Sequence, residues 1–329
     1  MNNHLFLFRA ALATVAAIAI AQAQTYPRAE IANESIRMEL YLPDSVKGYY
    51  RGTRFDWSGV IESLRFAGHE YFGPWLEKHD PLVHDSITGP VEAFDTNGAG
   101  LGYAEAQAGG QFIRIGVGVL EKPAEPAYRT NFTYKIVDPG KWTVKHGKDW
   151  IEFEQRLTSK VGYAYSYRKR ISLTPGKPEM VIGHWLTNRG SKPIDTSQFN
   201  HNFLRIDRQM SGTALSFRFP FEPRMTTPMP ALAEVRGREI VLRKEFDEQD
   251  RLYSLVEGYG ATAADHEISV ENRATGAGVR ITGDRPLSRL IVWSKQRSLS
   301  PETYVSLHVA QGETQTWERR YWYYTIAKK

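Results

Sequence analysis

The sequence predicts an all-β protein in which many antiparallel strands form one large sandwich or barrel. Three observations lead to this class. Polar and apolar residues alternate over short segments along most of the chain, as in a strand with one buried face. Gly, Pro, Asn and Asp interrupt these segments at short intervals, for example at residues 138–140, 174–176 and 188–190. No helical period persists, and residues 99–109 and 232–235 are expected to form at most short helical turns.

The alternating segments predict the strands in chain order. Those predicted are 35–42, 111–120, 149–157, 163–171, 179–187, 267–271, 279–282, 289–292, 304–309 and 314–325. No internal repeat, low-complexity tract or Pro/Ser-rich linker divides the chain. We therefore expect a single domain over residues 24–329.

Residues 1–23 have the pattern of a secretory signal peptide. Arg9 precedes an apolar run at residues 10–21, which is short for a membrane span, and Ala21-Gln-Ala23 is a small-x-small cleavage site. An uncleaved anchor is the alternative. With cleavage, we expect a secreted or periplasmic protein without a later membrane span.

The composition excludes several classes of function. The chain has no cysteine, so it has neither disulfides nor a cysteine nucleophile. The net charge of +5 is small, and the tight basic clusters at residues 168–170 and 319–320 lie in strand-like segments. This favours a solvated sheet face over nucleic-acid binding. The glycines of residues 97–102 follow no parallel strand, which argues against a nucleotide site.

The most informative segment is residues 186–204. A strand ends in an Asn-x-Gly turn at residues 188–190, and the next strand carries His201, followed closely by Phe203. This arrangement resembles the galactose mutarotase (aldose 1-epimerase) superfamily. The hairpin-like segment 59–71 and the Gly-Glu turn at residues 310–313, which precedes an aromatic strand, are similar to its opening and closing elements. The resemblance implies a two-layer β-supersandwich and a carbohydrate substrate, either a mono- or an oligosaccharide.

The resemblance also implies acid/base chemistry without a cofactor. A base takes the proton of the anomeric hydroxyl, an acid protonates the ring oxygen, and the ring opens and recloses. His201 corresponds to the family's acid, and Glu302 is the nearest carboxylate to the place of its base. Alternatively, His201 is a structural residue and Glu302 a turn residue. Lys295 stands close to where the family has its acidic residue; if it faces the pocket, it binds a carboxylate or acts as a base, which points to uronic acids.

A second group of candidate residues lies at residues 49–59. Two tyrosines, two arginines, Asp56 and Trp57 occur within this short stretch, and aromatic faces with Arg and Asp are typical of sugar sites. We expect Arg54 and Asp56 to bind sugar hydroxyls, or to pair with each other on one face of a strand. The alternative is an exposed edge strand.

A third group lies at residues 75–94, which are predicted to form a loop. His79-Asp80 and His84-Asp85 recur there, and Glu92 follows a Gly-Pro turn. We expect this loop to line the sugar cleft, with His84 or His79 in place of the family's second histidine, which is missing from residues 125–131. Glu92 is a further candidate. A divalent metal is the alternative, but the spacing matches no metal motif, so no metal is expected.

The leading hypothesis is therefore an exported protein resembling aldose 1-epimerase. Its catalytic residues would be His201 and Glu302, and its substrate-binding residues Arg54, Asp56, His84, Glu92, Asn202 and Lys295. Two alternatives remain at this point. One is a non-catalytic carbohydrate-binding protein of the same fold. The other is a polysaccharide lyase-like enzyme acting on uronic acid polymers.

Overall fold

The computed structural model describes residues 25–328, so the expected signal peptide lies outside the described part of the chain. Two one-turn 3-10 helices, Ile206–Arg208 and Ala263–Asp265, accompany the strands. The strands are β1 Arg28–Ala32, β2 Ile36–Tyr41, β3 Val60–Phe66, β4 His69–Glu70, β5 Val91–Asp95, β6 Gln111–Arg114, β7 Gly118–Glu121, β8 Ile136–Asp138, β9 Lys141–His146, β10 Trp150–Thr158, β11 Ala164–Leu173, β12 Glu179–Asn188, β13 Ile194–His201, β14 Leu215–Arg218, β15 Arg224–Met225, β16 Ala233–Arg236, β17 Glu239–Leu242, β18 Leu252–Glu257, β19 Glu267–Asn272, β20 Ala277–Gly283, β21 Arg289–Lys295, β22 Ser298–Val309 and β23 Thr314–Thr325. Within residues 25–328, no helix is long and apolar enough to cross a membrane.

Two large antiparallel sheets dominate the fold, which confirms the predicted all-β class. The larger has ten strands in the order β16-β17-β14-β19-β20-β23-β12-β11-β10-β9. The smaller has six strands in the order β15-β18-β21-β22-β13-β5. Strands β1–β4 and β6–β8 form a four-stranded and a three-stranded sheet.

The six-stranded sheet has two differently used faces. Along β22, Val305 and Leu307 belong to the same apolar cluster as Leu186 and Trp317 of the ten-stranded sheet. The alternate residues of β22 point to the opposite face, because side chains alternate along a strand. That second face lies against loops whose aromatic residues, such as Phe55, form a separate buried cluster. A cavity lined by Glu302 and Tyr304 of β22 lies on this second face.

Two predicted elements were wrong. Residues 111–120 do not form one strand but the hairpin β6–β7, in which the backbone N–H of Val117 donates to the carbonyl of Arg114 at 3.1 Å. Gly116 turns the chain at a φ of +81°, and a Cβ there would lie 2.6 Å from Asp56. Residues 232–235, expected to form at most a short helical turn, lie mostly in strand β16, because Ala233–Arg236 pair along β17. Tertiary packing decided both, since local alternation of residues does not show where a strand reverses.

Candidate active site

A cavity of about 630 Å³ opens between the second face of the six-stranded sheet and the surrounding loops. This volume is within the usual range of small-molecule sites. The lining residues are Arg54, His84, Asp85, Ala93, Asp95, Gly98, Arg114, Tyr128, Thr130, Asn131, Phe199, Arg251, Tyr253, Arg289, Trp293, Lys295, Glu302 and Tyr304. Of the candidates from sequence, the cavity therefore contains Arg54, His84, Lys295 and Glu302.

The register of the strands sets the floor of the cavity. Glu302 in β22 pairs with Ile291 in β21, and Tyr304 pairs with both Arg289 and Phe199. The Tyr304 ring stacks on Phe199 with centroids 4.3 Å apart, and the guanidinium of Arg289 lies 3.8 Å above the Tyr304 ring. Glu302 thus lies inside a strand and not in a turn. Two residues further along β22 on the same face, Tyr304 and its partners Arg289 and Phe199 provide a cationic and aromatic surface.

Glu302 is a buried carboxyl group with unusual acid/base properties. Its side chain is only 4% exposed. Burial raises its pKa from 4.5 to about 7, and the opposing influences are the Arg54 guanidinium, the Tyr304 hydroxyl and Arg289. Tyr304 donates a hydrogen bond to Oε2 of Glu302 at 3.2 Å. A carboxyl group with a pKa near neutrality exchanges protons readily at the pH where the protein would work.

His201 lies next to Glu302 but does not line the cavity. Its Nε2 is 3.3 Å from Oε1 of Glu302, and its side chain is 2% exposed. Phe203 stacks on the imidazole at 3.7 Å, while Trp293 and Phe55 contact it edge-on at 4.7 and 5.7 Å. Burial lowers the pKa of His201 well below its ordinary value, and Arg54 lowers it further, so the ring is neutral.

Phe203 reaches that stacking position through a strained backbone. Its φ is +42°, which is rare for a bulky L-residue. The chain therefore turns directly after β13 and brings the ring back over His201. Strain of this kind persists only where the surrounding packing compensates for it, and here it fixes the orientation of the imidazole.

Arg54, Asp85 and His84 form a polar group on the loop side of the cavity. The guanidinium of Arg54 forms an ion pair with Asp85, whose other oxygen lies 3.2 Å from Nε2 of His84. Burial opposes ionisation of Asp85, but Arg54 and His84 hold its pKa well below the ordinary value. Arg54 is itself supported because Arg114 donates to its backbone carbonyl at 2.7 Å. The charged partner of Arg54 is thus Asp85, and the expected pairing with Asp56 is wrong.

Asp56 and Glu92 lie in the protein interior instead of lining the cavity. Both are paired with Lys169, which is 1% exposed and lies 2.9 Å from Oδ2 of Asp56. Glu92 also accepts hydrogen bonds at 3.0 Å from His184 and Asn200. The cause is strand alternation: Glu92 lies in β5, not in a loop, and faces the ten-stranded sheet, whereas its neighbour Ala93 faces the cavity.

Asn202 and His79 also have internal partners. Asn202 accepts a hydrogen bond from the Tyr321 hydroxyl at 2.7 Å, and its backbone N–H donates to Ser300. His79 stacks on Tyr49 at 3.8 Å and contacts the Tyr49 carbonyl at 2.8 Å through Nε2. Neither side chain lines the cavity. Of the two histidines proposed for the loop, His84 is therefore the one at the cavity surface.

Sequence reasoning missed several lining residues. Arg289, Trp293 and Tyr304 lie in strands that were predicted in part, and Arg251 and Tyr253 lie in or next to a strand that was not predicted. A signal was present in residues 289–295, where Arg289, Trp293 and Lys295 are separated by even numbers of positions and so share one face of an extended strand. Such alternation identifies one face of a strand, but only the tertiary structure shows that this face borders a cavity.

A metal-binding reading of the loop has no support among residues 25–328. No group of three or more His, Cys, Asp or Glu side chains there is arranged to hold a metal ion.

No protein-family model matches the chain, and no curated protein sequence matches it. Solved structures do match. A galactose mutarotase related enzyme from Lactobacillus acidophilus aligns with a TM-score of 0.57 and 12% identity, over 91% of this chain and 98% of that one. A galactose mutarotase-like protein from Lactobacillus casei aligns with a TM-score of 0.56 and 12% identity, over 90% and 100%. An aldose epimerase homologue from C. elegans aligns with a TM-score of 0.51 and 11% identity, over 92% and 100%.

The chain has the galactose mutarotase-like fold. The near-complete coverage of these chains extends the similarity over the whole β-sandwich. The fold expected from the segment around His201 is therefore confirmed. At 11–12% identity, the similarity establishes the fold and not the reaction.

Proposed function

We propose that this protein acts on a carbohydrate and interconverts the anomers of an aldose by ring opening and closing. The observation that carries the proposal is Glu302, a buried carboxyl group with a pKa of about 7 at the floor of the cavity. Two of the structural neighbours are a galactose mutarotase related enzyme and an aldose epimerase homologue, which supports the same reaction class. Arginine forks and aromatic rings in the lining suit a polyhydroxylated ligand.

In the proposed reaction, ionised Glu302 takes the proton of the C1 hydroxyl. The bond between C1 and the ring oxygen breaks as the C1 carbonyl forms, and an acid protonates the ring oxygen. Rotation about C1–C2 followed by the reverse proton transfers closes the ring on the other face. Both protons return to their original donors, so no cofactor is required.

We assign the acid to His84. It is the histidine among residues 25–328 that lines the cavity, and its Nε2 lies 3.2 Å from Oδ2 of Asp85, which orients the ring. His201 then acts through Glu302. Its neutral ring, with Nε2 3.3 Å from Oε1 of Glu302, gives the carboxyl group a polar neighbour within the aromatic layer.

Polarimetry of freshly dissolved α-glucose and α-galactose tests the reaction. We expect faster decay to the equilibrium rotation with the wild-type chain, and a loss of roughly 10²- to 10⁴-fold in Glu302→Gln and His84→Asn. Glu222→Gln, at an exposed position, is the matched control and should retain full activity. Unchanged activity of Glu302→Gln would refute the assignment of the base.

The role of His201 needs a separate measurement. If it acts through Glu302, His201→Leu moves the acid limb of the pH–rate profile to higher pH, because an apolar side chain replaces the polar ring 3.3 Å from the carboxyl group and disfavours its ionised form. A uniform loss of activity without such a movement would instead make His201 the acid, as the family resemblance implies.

A non-catalytic sugar-binding protein is the second candidate. The observation that favours it is the enclosure of His201 beneath three aromatic rings, away from the cavity. Calorimetric titration that detects monosaccharide binding without faster mutarotation would support this function.

We also propose that the protein is exported and that residues 1–23 are removed. Mass spectrometry of the chain recovered from the periplasm of a Gram-negative host tests this. A mature N-terminus at Gln24 supports export, and an intact Met1 in the cytoplasm contradicts it.

A further inference from the structure

Two cationic side chains lie side by side at one end of the cavity. Strands β18 and β21 are antiparallel, and their register pairs Leu252 with Ser294 and Tyr253 with Trp293. Continuing this register by one residue places Arg251 opposite Lys295. Both side chains line the cavity.

This pair has no acidic partner among residues 25–328. The guanidinium of Arg251 lies 5.6 Å from the Tyr253 ring, and none of the ion pairs in the described part of the chain includes Arg251 or Lys295. Of the acids near the pair, Asp250 pairs with Lys244 at 2.7 Å, and Glu248 lines a neighbouring cavity together with Lys295 but forms no ion pair with it. Like charges opposite each other destabilise a sheet.

The other cationic groups of the cavity contrast with this pair. Arg54 is neutralised by Asp85, and Arg289 has Asp95 at 3.9 Å. Arg114 has no ion pair either, but its guanidinium is occupied by the backbone carbonyls of Ala99 and Arg54, at 2.8 and 2.7 Å. Arg251 and Lys295 thus face the cavity with their charges unneutralised, which is unfavourable in the absence of a ligand. An anionic ligand would explain this arrangement, because it would make charge-assisted hydrogen bonds to both cations.

The position of the pair defines where the anion lies on the ligand. Lys295 is four residues along β21 from Ile291, which pairs with Glu302. That separation corresponds to roughly 13 Å along the strand, which is longer than one pyranose ring. Trp293 and Tyr253 lie between, and their rings are suited to stacking against a sugar face.

We propose that the ligand is an anionic oligosaccharide, with its reducing-end sugar at Glu302 and a carboxylate or sulfate of a neighbouring sugar bound by Arg251 and Lys295. The assignment of the reducing end rests on the proposed function. The anion site rests only on the arrangement of the two cations and the two aromatic rings. The two parts can therefore fail separately.

Calorimetry with digalacturonate and with its neutral dimethyl ester tests the anion site without requiring turnover. The wild-type chain should bind the acid more tightly than the ester, and added NaCl should weaken binding of the acid alone. Arg251→Gln/Lys295→Gln should lose roughly 10- to 100-fold in affinity for the acid and leave the ester unaffected. The matched control is Lys141→Gln/Lys145→Gln, which removes two exposed lysines from the edge strand β9 and should change neither.

Each further outcome decides the proposal. Equal binding of acid and ester by the wild type, or an equal loss for both in the double variant, overturns it. The same titration with a monosulfated disaccharide identifies the anion. Tighter binding of this disaccharide than of digalacturonate assigns the anion as a sulfate ester, and failure to bind either of them overturns the proposal. Charge-dependent binding in a chain that shows no mutarotation would leave the anion site standing and refute the proposed reaction instead.

Discussion

Replacing Glu302 by Gln should stabilise the protein at alkaline pH. Burial raises the pKa of Glu302 from 4.5 to about 7, so the folded chain holds a proton that the unfolded chain has already lost. Between these two pH values the native state binds more protons than the unfolded state, and the free energy of unfolding therefore falls as the pH rises. Below pH 4.5 the group is protonated in both states and adds no pH dependence.

The size of the effect follows from the two pKa values. Their difference of about 2.5 corresponds to about 3 kcal/mol. Ionisation of Glu302 in the folded state lowers the free energy of unfolding by about this amount once the pH is above 7. Gln cannot ionise. The free energy of unfolding of Glu302→Gln minus that of the wild type should thus increase by about 3 kcal/mol between pH 4 and pH 8.

Urea unfolding followed by tryptophan fluorescence measures this difference at both pH values. With a urea dependence of about 3 kcal/mol per M, the midpoints should separate by an additional 1 M or so at pH 8. Glu222→Gln, at an exposed position, should parallel the wild type throughout. A difference between Glu302→Gln and wild type that stays constant from pH 4 to pH 8 would show that the carboxyl group is not desolvated in the folded state.

Three further substitutions test other parts of the site. Arg54→Gln removes the guanidinium that opposes the rise in the pKa of Glu302, so the acid limb of the pH–rate profile should move to higher pH; a movement to lower pH would contradict this. Lys169→Met leaves two buried carboxylates unpaired and should lower the free energy of unfolding by roughly 3–5 kcal/mol in urea titration, whereas Lys145→Met on an exposed edge should change it by less than about 0.5 kcal/mol. Gly116→Ala should lower it by roughly 1–3 kcal/mol, since the residue has a φ of +81° and its Cβ would meet Asp56; an unchanged urea midpoint would contradict the tight hairpin.

The sequence placed some candidate residues correctly in the site and others not. Glu302 and His201 were identified from the family resemblance, and they do meet, at 3.3 Å. Glu92 was chosen because it is a carboxylate near two histidines. Its side chain faces the opposite side of its strand, toward Lys169, because side chains alternate along β5.

The sequence by itself determined the fold class, the positions of the longer strands and the presence of His201 on the strand that follows the Asn-x-Gly turn. These properties are local, because alternation and turn residues act through neighbours in the chain. They can therefore be recognised without the tertiary structure. The site depends on contacts across large separations in sequence. Arg54 forms its ion pair with Asp85, and Arg251 lies beside Lys295, only when strands and loops distant in the chain pack together. Burial decided the rest, because a carboxyl group acquires a pKa of about 7 from the layers that exclude water around it and not from its place in the chain.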